Sequence, residues 1–273
     1  MVHGITFVLG ILGNGLVMMT RRVTFICYVN LALADLSFIA TLPFLIVSMA
    51  KEQWFFGWFL CKLIYIVVDM NLYGSIFLIT LIALDCCICV QHPVWAQNHR
   101  TIGLAKRVII GLWILALVLT LPVTIFITTV KDEEEKIYCL FYCSDIIEEG
   151  MKVMIPVSIA CTIIWFVIGF SIPVSIITIC YGVIAANVRK KPVTLYESSL
   201  LSQFTFFLCW FSFHLVALLT VVWVREMMNG KYLILLILFN LVKSLAALNS
   251  CLNPILYFFV GQNFQKRLMY YLP

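Results

Sequence analysis

Charged residues are scarce in this chain: 11% of its 273 residues are charged, 63% are hydrophobic, and the mean hydropathy is +1.07. Soluble domains carry about a quarter charged residues, so this composition excludes a soluble domain of this size. The remaining environment is lipid. There, runs of about 20 apolar residues cross the hydrocarbon layer as helices, because every backbone polar group must be bonded internally.

Motifs of enzymes and of metal centres are lacking too. The four histidines are dispersed, and the chain has neither a glycine-rich phosphate loop nor an HExxH helix. The eleven cysteines are scattered, without the clustered spacing of a zinc site. The sequence also shows no internal repeat or low-complexity linker, so residues 1–273 are predicted to form one domain without a catalytic centre.

Seven apolar runs are long enough to span a membrane. They cover residues 2–20, 25–50, 58–90, 108–130, 153–188, 200–224 and 232–260, and a short amphipathic stretch, 262–271, follows. The first run has no basic leader and no small-residue cleavage site, so it is predicted to be a first helix truncated at its N-terminus and not a signal peptide. The predicted fold is an all-α membrane protein, a seven-transmembrane helix bundle with a short amphipathic eighth helix.

Basic residues mark one set of the ends of these runs, with Glu197 as almost the only acid among them. That set comprises Arg21, Arg22, Arg100, Lys106, Arg107, Arg189, Lys190, Lys191, Lys266 and Arg267. The opposite ends mix lysines with most of the acidic residues, including the run KDEEEK at 131–136, which is predicted to be a solvated outer loop. Because cytoplasmic ends are enriched in Lys and Arg, the N-terminus is predicted to lie outside and the C-terminus inside.

Three cysteines lie at the outer ends of the spans, where the compartment is oxidising. They are Cys61, Cys139 and Cys143. We expect one disulfide, from Cys61 to either Cys139 or Cys143, which would tie the third span to the loop before the fifth.

Polar side chains occur at bilayer depth in four of the spans. They are Asn14, Asp35, Asn71, Ser75, Asn249 and Asn253. The two in the third span are four residues apart, as are the two in the seventh, so each pair shares a helix face. Such groups are costly in lipid and face the bundle interior. Around Asp35 they are predicted to form either a site for a hard cation or a hydrogen-bonded cluster without an ion.

Three further charged residues stand out. Asp69 follows Cys61 by about two turns, and Lys243 lies at comparable depth in the seventh span. Either could anchor a charged ligand group; alternatively they neutralise each other, or Lys243 extends to the outer interface. Asp85 lies near the end of the apolar run LIALDCCICV at 81–90, with no cation adjacent to it.

Several motifs occur in the order found in rhodopsin-like G-protein-coupled receptors: GNGLV at 13–17, NLALAD at 30–35, FFLCW at 206–210 and NSCLNPILY at 249–257. Longer segments, among them WFFGWFLCK, CVQHPVWAQNHRT and NSCLNPILYFFVGQNFQKRL, are similar to the formyl peptide receptor family. The resemblance covers nearly the whole chain. It is strongest to divergent, receptor-related members, some of which are chemosensory in vomeronasal neurons.

The resemblance implies a multi-pass receptor of the plasma membrane that is not an enzyme. Its ligands would be N-formyl peptides or other host or pathogen peptides, and an inhibitory-type heterotrimeric G protein would carry the signal to chemotaxis. No cofactor is implied beyond an allosteric sodium ion. The net charge of +5 reflects topology and indicates no nucleic-acid partner.

The resemblance also implies roles for individual residues. Cys61 and Cys139 match the family disulfide. The sodium pocket would comprise Asp35, Asn71, Ser75, Asn249 and Asn253. Ligand-binding positions would be Asp69, Leu72, Trp165, Trp210 and Lys243. The switch and the G-protein contact would involve Asp85, Cys86, Asn253, Pro254 and Tyr257.

Four positions depart from the family pattern. Cys86 stands where an arginine would swing from the aspartate to the G protein, so Asp85 is predicted to have lost its partner. Cys161 and Trp165 stand where two arginines would clamp a formyl peptide. The absence of these two arginines removes charge-assisted hydrogen bonds worth about 1.5–3 kcal/mol each. Trp165 would favour a more apolar ligand. Ser212 replaces a proline of the sixth span.

Two alternative functions follow from these departures and from the buried charges. One is a non-signalling product of the same family, a decoy or the product of a near-pseudogene. The other is an ion or proton transporter, which is disfavoured because the sequence lacks an inverted repeat and paired broken helices.

Overall fold

The computed structural model describes residues 2–17, 23–132, 134–141, 156 and 159–188, together with positions 207, 211–212, 214–216, 218–219 and 250. Within the described residues, the helices are α1 (Val2–Val17), α2 (Val23–Lys51), α3 (Gly57–Gln91), α4 (Pro93–His99), α5 (Ile102–Phe126) and α6 (Ile172–Val188). Two strands, β1 (Ile127–Lys131) and β2 (Ile137–Phe141), follow α5. Residues 159–166 are also helical, and a π-helical turn, Val167–Ser171, joins them to α6.

Four described segments are long and apolar enough to cross a membrane: Ile26–Lys51, Gly57–Gln91, Ile102–Pro122 and Ile159–Asn187. They overlap the predicted second to fifth spans, although the fourth begins at Ile102 and not at the predicted residue 108. Helix α1 lies in the predicted first run. The seventh span and the eighth helix fall outside the described residues apart from position 250, and the sixth span is described only at isolated positions.

Helix α3 lies at the centre of the described bundle and contacts α2, α5 and α6. Its residues 71–78 are all buried, so no face of that stretch is left toward lipid. At Gly74 the approach is close, because a Cβ there would lie 2.8 Å from the Trp113 ring of α5. The third span therefore provides most of the surface against which the other helices pack.

The bundle core divides along α3 into layers. The middle layer contains Tyr73, Ile76 and Phe77 of α3 with Phe170 and Ile177 of the fifth span. A layer nearer the inner side joins the three helices α2, α3 and α5 through Cys27, Leu31, Leu78, Ile82 and Ile109. The outer layer contains Trp54, Cys61, Ile64 and Ile127.

An antiparallel β-hairpin follows α5 on the predicted outer side, with Thr129 opposite Cys139. The prediction had extended the fourth span to residue 130, whereas α5 ends at Phe126 and the next residues form β1. The segment ITTVK is rich in β-branched side chains, which favour strands, and hydropathy alone does not separate such a strand from the helix before it. Between the strands, the Asp132 Oδ1 atom accepts hydrogen bonds from the backbone N–H groups of Glu134 and Lys136, each 2.9 Å long.

The connection between α3 and α5 is also ordered, a feature that the sequence analysis did not predict. Helix α4 begins at Pro93, a residue suited to a first helical position because it has no N–H to leave unbonded. Thr101 is the N-cap of α5, and its hydroxyl accepts a hydrogen bond of 3.2 Å from the backbone N–H of Leu104. Only Arg100 and Thr101 separate the two helices.

The predicted disulfide is confirmed, and its partner is Cys139. The Cys61–Cys139 bond joins α3 to β2 across 78 residues of sequence, with the two Cα atoms 5.7 Å apart. Cys143, the alternative partner, lies outside the described residues. On the same side, the Trp54 backbone N–H donates a 2.6 Å hydrogen bond to the Ile137 carbonyl, so the hairpin is fixed at two points.

We expect Cys61→Ser to lower the free energy of unfolding by about 2–4 kcal/mol, because the bridge closes a long loop. The melting temperature of the purified, detergent-solubilised protein measures the effect. Cys89→Ser is the matched control, since Cys89 is a free, partly buried cysteine of the same helix. Equal melting temperatures for Cys61→Ser and the unaltered protein would contradict a stabilising role of the bridge.

Candidate functional site

Asp35 lies at the centre of a buried polar cluster between α2 and α3. Its side chain is fully buried. The Asn71 Nδ2 group donates to Asp35 Oδ1 over 3.1 Å, and the Ser75 hydroxyl donates to the same oxygen over 3.4 Å. Asn71 also contacts Ser75, with 3.3 Å between Nδ2 and Oγ. The structure therefore brings together three of the five residues predicted for a sodium pocket.

The other two members of that set, Asn249 and Asn253, lie outside the described residues. Their neighbour Ser250 is described and buried, and its carbonyl accepts a 3.0 Å hydrogen bond from the Asn14 side chain of α1. The same Asn14 amide group donates to the Gly10 carbonyl over 3.1 Å. Position 250 is thereby joined to α1 across 236 residues of sequence.

The atoms around Asp35 suit a hard cation. The Asp35 carboxylate and the Ser75 hydroxyl supply oxygen atoms, the ligand type that sodium, calcium and magnesium accept, whereas Asn71 directs its Nδ2 group at both of them. A fully buried carboxylate also needs compensation, because an isolated charge is costly away from water. Among the residues that the structure describes, no three His, Cys, Asp or Glu side chains lie together as a metal site. The donor set therefore fits an alkali or alkaline-earth ion and not a transition metal.

Three of the five predicted ligand-binding residues, Asp69, Leu72 and Trp165, lie within the described residues. Asp69 is partly buried, within electrostatic range of Tyr65 and Tyr73. Leu72 belongs to the buried middle layer, and Trp165 packs against both that layer and the outer layer beneath the disulfide. Trp210 and Lys243 fall outside the described residues, so the structure brings together Leu72 and Trp165 but does not locate the whole predicted set.

Two aromatic residues of this region were missed by the sequence analysis. Tyr73 is fully buried one helical turn after Asp69, and its ring stacks on Phe77 at 5.9 Å between centroids. Tyr65 lies one turn before Asp69 and packs against the outer layer. The i±4 spacing of both tyrosines from Asp69 was a readable signal, since residues four apart share a helix face.

His214 lies four residues after Trp210 in the sequence, and such a residue is more often a packing or kink site than a site of chemistry. The structure buries it beside the π-helical turn, 5.2 Å from the Phe170 ring centroid and 6.2 Å from that of Phe166. A Cβ at Gly169 would lie 3.7 Å from its imidazole. His214 is thus a packed residue of the core between the fifth and sixth spans.

At the inner end of α3, the prediction that Asp85 lacks a partner is wrong. Arg100 binds it with two parallel hydrogen bonds, 2.7 Å from Nε to Oδ1 and 2.6 Å from Nη2 to Oδ2. The cation was overlooked because it lies fifteen residues away in sequence. The chain between the two residues is folded into α4, and this returns Arg100 to the end of α3.

The environment of this ion pair favours the charged form of Arg100. Burial alone lowers the pKa of Arg100, but the hydrogen bond and the charge of Asp85 raise it overall. The side chains of Arg100 and Asp85 are 26% and 24% exposed, so they are mostly shielded from water. Cys86, next to Asp85, is partly buried and supplies no guanidinium.

Comparison with known proteins defines the class. The family described as "7 transmembrane receptor (rhodopsin family)" matches residues 9–257, nearly the whole chain. The protein is therefore a rhodopsin-family receptor with seven membrane-spanning helices.

Relatives within that class define the family more closely. The chain is 60% identical to N-formyl peptide receptor 2 of Homo sapiens over 290 aligned positions, which cover all of this chain and 82% of the relative. It is 54% identical to N-formyl peptide receptor 3 of Macaca mulatta over 289 positions, with the same coverage. The chain belongs to the formyl peptide receptor family. It is a multi-pass G-protein-coupled receptor of the plasma membrane and not an enzyme, as the resemblance implied.

Proposed function

We propose that this receptor detects peptides outside the cell and activates a heterotrimeric G protein of the inhibitory type, with its N-terminus outside and its C-terminus inside. The observation that carries the proposal is the 60% identity to a human N-formyl peptide receptor across the whole chain. The outer disulfide and the buried Asp35 cluster support it, because both are built from residues that the resemblance assigns to these roles. A chemosensory role in vomeronasal neurons is part of the same proposal.

The ligand that we propose is a peptide with an apolar amino-terminal residue, for which a formyl group is not required. Trp165 and Cys161 both pack into the outer layer, where the described neighbours are apolar or aromatic. Neither side chain offers the charged, forked donors that two arginines would direct at carbonyl oxygens. An indole at this depth instead offers apolar contact surface, which favours the binding of an apolar ligand side chain.

Formylated peptides are therefore expected to fail at concentrations that activate close relatives. The double variant Cys161→Arg/Trp165→Arg should lower the dissociation constant for a formyl-methionine peptide by about tenfold or more per arginine, since each adds charge-assisted hydrogen bonds. Displacement of a labelled peptide from membranes that contain the receptor measures this dissociation constant. Cys161→Met/Trp165→Phe serves as the control, because it changes shape without adding donors.

Nanomolar displacement by a formylated peptide from the unaltered receptor would refute this account of the pocket. A gain in the Met/Phe control equal to that in the arginine variant would refute the role of the donors. Melting temperatures of both variants show whether a failure to bind reflects unfolding.

We also propose that the cluster of Asp35, Asn71 and Ser75 holds a sodium ion that stabilises one conformation of the receptor. Asn249 and Asn253 complete the set in this proposal. A bound ion supplies positive charge beside the buried carboxylate; the side chains supply the oxygens and fix α2 against α3. The support is the geometry of the three described residues, whose polar atoms converge on one side of the carboxylate.

Replacing choline chloride by sodium chloride at constant ionic strength should therefore raise the melting temperature. Binding to the folded state stabilises it by roughly 1.4 kcal/mol when sodium is at ten times its dissociation constant. Asp35→Asn should abolish this shift. Asp69→Asn is the control, since it removes a carboxylate of the same bundle that lies outside the cluster. The sodium proposal fails if Asp35→Asn keeps the full sodium-dependent shift.

A second candidate function is a non-signalling member of the family, and Cys86 is the observation that favours it. The position where the resemblance implies a G-protein-contacting arginine carries a side chain with neither a fixed charge nor forked donors. Under this alternative, the receptor folds and binds ligand but couples weakly.

Cys86→Arg is expected to raise nucleotide exchange on an inhibitory-type G protein, basally and with peptide, if the receptor reaches the cell surface. Cys86→Met is the control, because it lengthens the side chain without a charge. Surface labelling of all three proteins must accompany the assay. Robust exchange by the unaltered protein, equal to that of Cys86→Arg, would show that the missing arginine does not limit coupling.

A further inference from the structure

The ion pair between Asp85 and Arg100 joins two different parts of the inner surface. Asp85 belongs to the last turns of α3, whereas Arg100 follows α4 in the second inner connection. The guanidinium presents Nε and Nη2 side by side to the two carboxylate oxygens. Such a forked arrangement fixes orientation as well as distance, because both bonds must be made at once.

Arg100 is held by the backbone on both sides. Its own N–H donates a 3.0 Å hydrogen bond to the Ala96 carbonyl, which makes it the C-cap of α4. The next residue, Thr101, caps the start of α5 with its hydroxyl. Arg100 thus lies at a short joint between two helices, and little backbone freedom remains to be lost when its side chain binds Asp85.

The contrast with other charged residues of the chain shows that this pair is not an ordinary surface contact. Lys136 and Glu134 of the outer hairpin form a pair whose side chains are 43% and 72% exposed. Exposed ion pairs of that kind contribute little to the stability of the fold. Arg107, on α5, is exposed, and its Nε donates over 3.4 Å to the Gly103 carbonyl of its own helix. The Asp85–Arg100 pair is more buried than either and links separate elements.

The side chain at position 86 adjoins this pair. Cys86 lies within electrostatic range of both Asp85 and Arg100. It also packs with the inner layer of the core. Among the residues that the structure describes, a guanidinium introduced at position 86 would therefore have within reach the same carboxylate as Arg100, that of Asp85. Two cations would then compete for one anion.

We propose that Arg100 is a positioning residue that takes over the charge compensation of Asp85 in this receptor, and that the pair holds α4 against the inner end of α3. The arrangement depends on Cys86, because a shorter, uncharged neighbour leaves the carboxylate to Arg100 alone. The proposal concerns the folded receptor and requires neither a ligand nor a G protein. Its outcome is therefore distinguishable from that of the proposed function.

A double-mutant cycle tests the pair itself. Asp85→Asn and Arg100→Gln should each lower the melting temperature of the detergent-solubilised receptor by about 2–6 °C, and the double variant should fall no further than the larger single effect. Arg107→Gln, the matched control, should change it by about 1 °C or less. Arg100→Lys should recover only part of the loss, because a point charge cannot bind both oxygens as the fork does. Additive losses of melting temperature in the cycle would show that Asp85 and Arg100 do not interact, which would overturn the proposal.

Amide hydrogen exchange tests the positioning of α4 and the dependence on residue 86. Exchange at residues 94–101 should rise severalfold in Arg100→Gln and in Cys86→Arg, but not in Cys86→Met or Arg107→Gln. Arg100→Gln should add little further exchange in the Cys86→Arg background. Unchanged exchange in Arg100→Gln would overturn the positioning role, and unchanged exchange in Cys86→Arg would overturn the competition for Asp85.

Discussion

The described bundle depends on enclosing residues 71–78 of α3 from all sides. In lipid, the hydrophobic effect does not drive helices together, so close packing and interhelical hydrogen bonds must do so. Gly74 lets the Trp113 ring approach the α3 backbone, and the Trp113 indole N–H in turn donates a 3.1 Å hydrogen bond to Asn30 of α2. One tryptophan thereby joins three helices. The layers above and below this contact follow from the position that it gives to α3.

Helix α3 is joined to other parts of the chain by a disulfide or by side-chain hydrogen bonds at three levels of the bundle. The disulfide connects the outer end to the hairpin, the Asn71–Ser75 face contacts Asp35 of α2, and Asp85 binds Arg100 at the inner end. Each contact joins α3 to a different part of the chain. The helix that is most buried is thus also the one that links the outer surface, the core and the inner surface, as a receptor that transmits a signal across the bilayer requires.

The sequence predicted the parts of this structure that depend on composition and local spacing. Apolar runs located the second to fifth spans, and the four-residue spacing of Asn71 and Ser75 placed both on the face that meets Asp35. The prediction from sequence was wrong where tertiary contacts determine the local structure or the partner of a side chain. The strand after Phe126 continues the apolar run of α5, and only its pairing with β2 distinguishes it from helix. The partner of Asp85 depended on a short helix, α4, that hydropathy cannot detect.

The Asp85–Arg100 pair separates two roles that the resemblance would give to one arginine at position 86, namely compensation of the Asp85 charge and contact with the G protein. A carboxylate at the margin of an apolar helix must be compensated for the fold to form, and Arg100 supplies this compensation from the second inner connection. The loss of an arginine at position 86 therefore removes a group proposed to contact the G protein without leaving a buried charge unpaired. Cys86 alone is consequently no reason to expect misfolding. Whether this receptor signals is a question about the surface that it presents inside the cell, and not about the stability of α3.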